Sequence, residues 1–204
     1  MTAEADLVNN WGFLDAYRRP VFRGKLSSTI MNEVNGMVKW GKKIKDHPLG
    51  FMKAHHNTGT EGNAYQISVS PALLQDSFLL AYLNRMGERF ISGTEHIDDN
   101  KLFRMVPLRY HQGHFDAYDL WLNFAYKGNF NPIHKHGGNI SGVIYVKDEE
   151  DTPTIFEGEV KFHGTPGEVL MFPNTMEHRV PAKNTNKERI TMAFNMLWIG
   201  TVDG

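Results

Sequence analysis

The chain has 204 residues, with 22 Lys and Arg against 23 Asp and Glu and a formal charge of −1. So even a balance implies no long-range pull toward nucleic acid or an acidic membrane surface, and a chain of this length is most simply one domain, 1–204, with a sizeable core. Cysteine is absent, which removes disulfides, zinc fingers and thiol nucleophiles. The first residues lack the basic start and apolar stretch of a secretory signal, and no run reaches about 18 apolar residues, so a cytoplasmic protein is expected.

In chain order, the spacing first predicts a helix over 27–45, with Ile30, Val34, Met37 and Val38 on one face and Ser27 or Ser28 as N-cap. The stretch 46–63 is rich in Gly, His, Asn and Thr and reads as a loop before a short strand at 65–69. A second helix is expected over 70–94, started by Ser70-Pro71, striped by Leu74, Phe78, Ala81 and Tyr82, and stopped near Gly93.

From about residue 104 the pattern becomes short strands between turn residues. Strands are expected near 104–110, 117–126, 140–147, 154–156, 160–163, 168–172, 178–180 and 189–198. This pattern points to a mainly β fold with flanking helices (α+β), built on a jelly-roll or double-stranded β-helix core, an architecture that includes cupins. The helical part, 1–103, is expected to pack on the outside of a barrel formed by 104–204.

The chemistry is concentrated in the barrel half. His134 and His136 are two residues apart, and in an extended segment such residues point to the same side. A third histidine from a later strand, His178, would complete a three-point grip on a metal. Imidazole suits iron, copper, nickel and zinc alike. The plainer alternative is a surface pair in a polar loop, which Gly137-Gly138 would favour. Arg189 and Thr191 share a strand face; a guanidinium grips a carboxylate through two parallel bonds, which a lysine cannot do. Their plainer reading is the solvated face of an ordinary strand.

Three stretches carry a resemblance: Asn131-Pro-Ile-His134-Lys-His136-Gly-Gly-Asn-Ile-Ser141-Gly-Val-Ile-Tyr145-Val, Gly167-Glu-Val-Leu-Met-Phe172-Pro-Asn-Thr-Met-Glu-His178-Arg-Val and Glu188-Arg189-Ile-Thr191-Met-Ala-Phe-Asn195. In this order they resemble the 2-oxoglutarate- and iron(II)-dependent oxygenases, in particular a small bacterial and tailed-phage group with a His-x-His motif. The resemblance covers roughly 119–197. It implies that His134 and His178 are metal ligands, that Arg189 pairs with the distal carboxylate of 2-oxoglutarate, and that Thr191 donates to it. The broader superfamily has a carboxylate where His136 stands. His136 is assigned as the third ligand because the smaller group has histidine there; Glu157, Glu159 and Glu177 lack the spacing to replace it. Three neutral ligands leave an iron site one negative charge short.

Tyr145, Asn123 and Asn195 are further candidates for binding 2-oxoglutarate, with packing as the alternative for Tyr145 and a structural hydrogen bond for Asn195. Trp121, Phe124 and Phe172 read as core, and His55, His56, His111 and His114 as loop histidines. The resemblance implies an Fe(II)-dependent dioxygenase that converts 2-oxoglutarate and O2 to succinate and CO2 while hydroxylating a C–H bond. No catalytic residue beyond the metal ligands is expected. Substrate contacts are expected from 46–63 and 148–153. A protein or peptide substrate, with a side chain such as prolyl, follows by family analogy only, and a phage-encoded chain would act in the host cytoplasm. Two competitors stand beside this reading. A cupin-type three-histidine dioxygenase would account for His136 but leave Arg189 and Thr191 idle. The other is a metal- or ligand-binding barrel without catalysis.

Overall fold

A computed structural model describes residues 10–13, 20–45, 52–53, 64–94, 103–107, 109–112, 115–118, 120–148 and 152–201. Most of the loop expected over 46–63, including His55 and His56, lies outside these residues, as do His114 and 149–151. The N-terminal half holds strands β1 (Asn10–Phe13) and β2 (Pro20–Lys25), helix α1 (Ser28–Lys45), strands β3 (Met52–Lys53) and β4 (Tyr65–Ser68), and helices α2 (Pro71–Leu74) and α3 (Phe78–Thr94). Eleven strands follow: β5 (Phe103–Pro107), β6 (Arg109–Gln112), β7 (Phe115–Tyr118), β8 (Leu120–Ala125), β9 (Asn131–His134), β10 (Ile140–Asp148), β11 (Thr154–Phe156), β12 (Val160–Phe162), β13 (Glu168–Pro173), β14 (His178–Val180) and β15 (Arg189–Thr201).

A larger sheet runs β1-β2-β13-β10-β15-β8-β4-β3, and a smaller one β12-β11-β14-β9. The neighbours β13, β10, β15 and β8 pair antiparallel. With the four-stranded sheet they form the expected double-stranded β-helix. Helices α1 and α3 cover the outer face of the larger sheet. Ile30, Val34, Met37 and Val38 of α1 and Leu79, Leu83, Met86 and Phe90 of α3 share one buried cluster with Leu122, Phe124, Ile144, Met171, Met192 and Phe194. The approach is close at Gly41, where a Cβ would stand 2.8 Å from Leu122 Cδ1. Among the described residues no helix is long and apolar enough to cross a membrane.

Helix α1 begins as expected, with Ser27 Oγ accepting from the Ile30 amide at 3.3 Å. The second helix differs from expectation. It breaks after Leu74, where Asp76 takes a positive φ of 57°, and restarts at Phe78. Ser77 Oγ accepts from Leu80 N at 3.0 Å, and the Glu33 carboxylate from α1 accepts from Phe78 N and Leu79 N at 3.2 and 3.0 Å. These bonds satisfy the restarted helix's free N–H groups and turn its buried face to Leu79, Leu83, Met86 and Phe90. Phe78, placed in the stripe by spacing, is 56% exposed.

The half expected to be helical also supplies strands to the larger sheet. In β2, Val21 faces the barrel interior cluster while Phe22 faces the helices. The strand offers only Val21 and Phe22 as apolar residues before the exposed Arg23 and Lys25, a run too short to show a period. That is why periodicity passes over it.

Candidate functional site

Alternation along each strand decides which side chains enter the barrel. Leu120, Leu122 and Phe124 of β8, Ile140, Ile144 and Val146 of β10, and Ile190, Met192, Phe194 and Met196 of β15 all join the helix-side cluster. Their sequence neighbours must face inward: Trp121 and Asn123; Ser141, Val143 and Tyr145; Arg189, Thr191, Ala193 and Asn195. The register aligns them, with Thr191 opposite both Asn123 and Tyr145, Asn195 opposite Ser141, and Arg189 opposite Asp148.

On the facing sheet, β9 and β14 pair so that His134 lies directly opposite His178. His136 follows just beyond the end of β9, its backbone clipped to Asn174 by His136 N to Asn174 O at 3.1 Å and Asn174 Nδ2 to His136 O at 3.1 Å. Ring nitrogens of the three histidines lie within 4.8 Å of one another. The donor set suits a transition metal ion. His134 Nδ1 lies 2.7 Å from Pro132 O and His178 Nδ1 lies 3.1 Å from Met176 O. A carbonyl can only accept, so each Nδ1 carries the proton and each Nε2 keeps a free lone pair, the form in which imidazole binds metals. The His136 ring makes no hydrogen bond among the described residues.

Burial, and then the neighbouring His178 and His134, push the His136 pKa down to about 3. His178 is pushed to about 4, again by burial first and His134 second, while its bond to the Met176 carbonyl works the other way. Both are thus neutral and ready to coordinate near pH 7. Phe172 and Phe156 pack against His178 with ring centroids 4.8 and 5.9 Å away, which keeps water from that side.

A cleft of about 420 Å³, its open mouth included, is lined by Asn123, Arg189, Thr191, Asn131, Val180 and Lys183 among others. Asn131 and Val180 are paired neighbours on the two strands that carry His134 and His178, so the cleft reaches those strands. Arg189 is 6% exposed and donates through Nε to Asp148 Oδ2 at 3.0 Å. Among the described residues its two Nη groups make no hydrogen bond. Asn123 accepts from Trp121 Nε1 at 3.0 Å and donates to Thr191 Oγ1 at 3.4 Å.

The other candidates are engaged elsewhere. The Tyr145 hydroxyl is fully buried against Thr154 Oγ1 at 2.7 Å, and burial drives its pKa up to about 12, against the influence of Arg189 and Thr154. Asn195 Oδ1 accepts from Ser141 Oγ at 2.8 Å, both buried. Sequence reasoning placed Asp148 in a stretch expected to contact substrate and not as the partner of Arg189, and it did not single out Lys183, a 3% exposed residue in the cleft wall. Only the strand register reveals Asp148. Its place opposite Arg189 depends on a bulge between Tyr145 and Lys147 that no local pattern announces.

Residues 148–195, which run from Asp148 through His178, Arg189 and Thr191 to Asn195, match a family model for 2OG-Fe(II) oxygenases. In this stretch the chain is similar to the 2-oxoglutarate/Fe(II)-dependent oxygenases. The matched family takes its name from Fe(II) and 2-oxoglutarate, and three histidines of this chain could hold a metal ion. Solved structures of such oxygenases share its fold. AviO1 from Streptomyces viridochromogenes Tue57 is 13% identical with a TM-score of 0.60, covering 95% of this chain and 99% of that one. A prolyl-4-hydroxylase from Pseudomonas putida is 10% identical with a TM-score of 0.54, covering 93% and 96%. A 2OG-Fe(II) oxygenase family oxidoreductase from Burkholderia pseudomallei is 14% identical with a TM-score of 0.52, covering 89% and 87%. No curated protein matches the chain in sequence.

Proposed function

We propose that this oxygenase holds Fe(II) on His134, His136 and His178, binds 2-oxoglutarate in the cleft beside them, and hydroxylates a C–H bond of a second substrate with release of succinate and CO2. The observation that carries this reading is the convergence of three imidazoles, together with a cleft that reaches the strands of His134 and His178 and is lined by Arg189 and Thr191. Bound there, the metal would supply O2 activation coupled to oxidative decarboxylation of 2-oxoglutarate; the protein supplies orientation and a dry cavity. The Pro132 and Met176 carbonyls keep the Nε2 atoms of His134 and His178 turned to the metal position. The Arg189 Nη groups take the distal carboxylate of 2-oxoglutarate and Thr191 adds a hydroxyl donor. Tyr145 and Asn195 act behind them, holding Thr154 and Ser141 in the barrel wall. A three-histidine dioxygenase that ignores 2-oxoglutarate would leave the donors on the cleft floor without a ligand.

For the substrate we favour a peptidyl side chain, prolyl among them. Phe130, 36% exposed, precedes the His134 strand and lines the cleft, where it offers an apolar contact to a substrate chain. Strand β9 is also the edge of its sheet, open to an added strand.

Anaerobic Fe(II) titration with and without 2-oxoglutarate tests the reading. Stoichiometric binding, a weak visible charge-transfer band only with both present, and succinate release on admitting O2 are expected. His178→Ala should abolish stoichiometric Fe(II) binding with the fold intact. Protein loaded with Fe(II) that neither binds 2-oxoglutarate nor yields succinate would overturn it.

A further inference from the structure

The polar row from Trp121 to Thr191 has a fixed direction of donation. An indole N–H can only donate, so its 3.0 Å bond to Asn123 places the amide oxygen on the Trp121 side. The amide nitrogen, also donor-only, is thereby turned to Thr191 Oγ1 at 3.4 Å. Thr191 accepts this bond, which leaves its own proton to give. That proton has no acceptor among the described residues, although the side chain is 3% exposed and lines the cleft. Arg189 beside it has no acceptor atom at all. Thr191 and Arg189 therefore both turn donors to the cleft, whose wall also carries the Gln66 and Asn131 amides, and a carboxylate is the ligand group that accepts from both.

We propose that Trp121 is a positioning residue: through Asn123 it turns the Thr191 hydroxyl proton into the cleft and, with Arg189, makes this end selective for a carboxylate. The proposal rests on the function proposed above and adds a residue whose aromatic character alone had marked it as core. Without the indole N–H the Asn123 amide is free to turn over and present its oxygen to Thr191. The hydroxyl would then donate to Asn123 and aim lone pairs at the incoming carboxylate. The same indole lies 5.9 Å, centroid to centroid, from the His136 ring, so a single side chain adjoins both ends of the site.

The test is calorimetric binding of 2-oxoglutarate to anaerobic protein loaded with Mn(II) in place of Fe(II), which reads affinity without turnover. Trp121→Phe keeps an aromatic ring beside His136, so metal affinity should hold while 2-oxoglutarate binds roughly two- to tenfold more weakly, the worth of one net hydrogen bond. Thr191→Val should lose roughly tenfold or more, because that bond is to a charged group. The double variant should bind no more weakly than Thr191→Val, since Trp121 acts through that hydroxyl; a purely packing tryptophan would make the two losses multiply. Asn123→Asp, nearly the same shape, accepts from both neighbours and draws the Thr191 proton away, so a loss beyond tenfold is expected. It carries the test by itself if Trp121→Phe does not fold. Wild-type affinity in Trp121→Phe or in Asn123→Asp, or multiplying losses in the double variant, would overturn the proposal while leaving the dioxygenase reading standing. Failure of the wild type to bind 2-oxoglutarate would overturn both.

Discussion

Arg189 and Asp148 form an ion pair sealed inside the protein: Nε stands 3.0 Å from Oδ2, and the side chains are 7% and 1% exposed. They face each other at the end of the β10–β15 ladder, and Asp148 Oδ2 also accepts from Thr152 N at 3.0 Å. The arginine expected to serve a ligand carboxylate thus already has an internal one. That carboxylate occupies Nε, which turns the Nη edge of the guanidinium toward the cleft.

Removing either partner strands a buried charge, at a cost of about 3–5 kcal/mol. Asp148→Ala and Arg189→Ala should each lower the urea midpoint accordingly. The double variant, with no charge left unpaired, should be more stable than Arg189→Ala. A double variant no more stable than the single would show that the two side chains do not depend on each other.

If Arg189 holds the co-substrate as proposed, Arg189→Ala should leave Fe(II) binding nearly unchanged, because the arginine is not among the three proposed ligands. Affinity for 2-oxoglutarate should fall by about 2–5 kcal/mol, the cost of truncating one side of a desolvated charge pair. Arg189→Lys should fall between, keeping the charge but losing the fork. Equal 2-oxoglutarate affinity in wild type and Arg189→Ala, measured anaerobically, would show that the pocket lies elsewhere.

His136 is tested by exchange of ligand type. His136→Ala should lose metal affinity nearly as strongly as His134→Ala. His136→Asp should retain Fe(II), since carboxylate is the commoner third ligand of such sites. Wild-type binding and turnover in His136→Ala would remove it from the metal.

Glu168 gives a pH signature remote from the site. Burial works to raise its pKa, but hydrogen bonds from Thr165 and Arg23 outweigh it, and the net shift is downward. A carboxylate lowered on folding contributes stability that is present above its ordinary pKa and lost as the pH falls through the folded value. Glu168→Gln should therefore be less stable than wild type at neutral pH, and the gap should narrow on acidification through the carboxylate range. Denaturant melts at neutral and acidic pH measure it; a gap independent of pH would mean that the ion pair with Arg23 contributes nothing.

Much of the fold follows from local pattern. The strands over 140–147, 154–156, 168–172 and 178–180 are legible as short runs bounded by turn residues, and the α1 face of Ile30, Val34, Met37 and Val38 by its helical spacing. Strand β2 is silent because its apolar run is only Val21 and Phe22 before the exposed Arg23 and Lys25. In α3 the stripe slipped because capping by Ser77 and Glu33 reset where the helix begins; Glu33 is 45 residues from Phe78, beyond the reach of any local window.

The sequence by itself determined the chemistry on offer: three histidines and an Arg-x-Thr pair in an order that fits one superfamily, since ligand atoms belong to residue types and strand alternation needs only neighbours. Tertiary structure alone decided which groups face each other. Antiparallel register set His134 against His178 and Arg189 against Asp148, and the interior packing turned Tyr145 to Thr154 and linked Trp121 through Asn123 to Thr191. Such pairings depend on strand register and on a bulge, and shifting either by one residue turns every side chain to the other face.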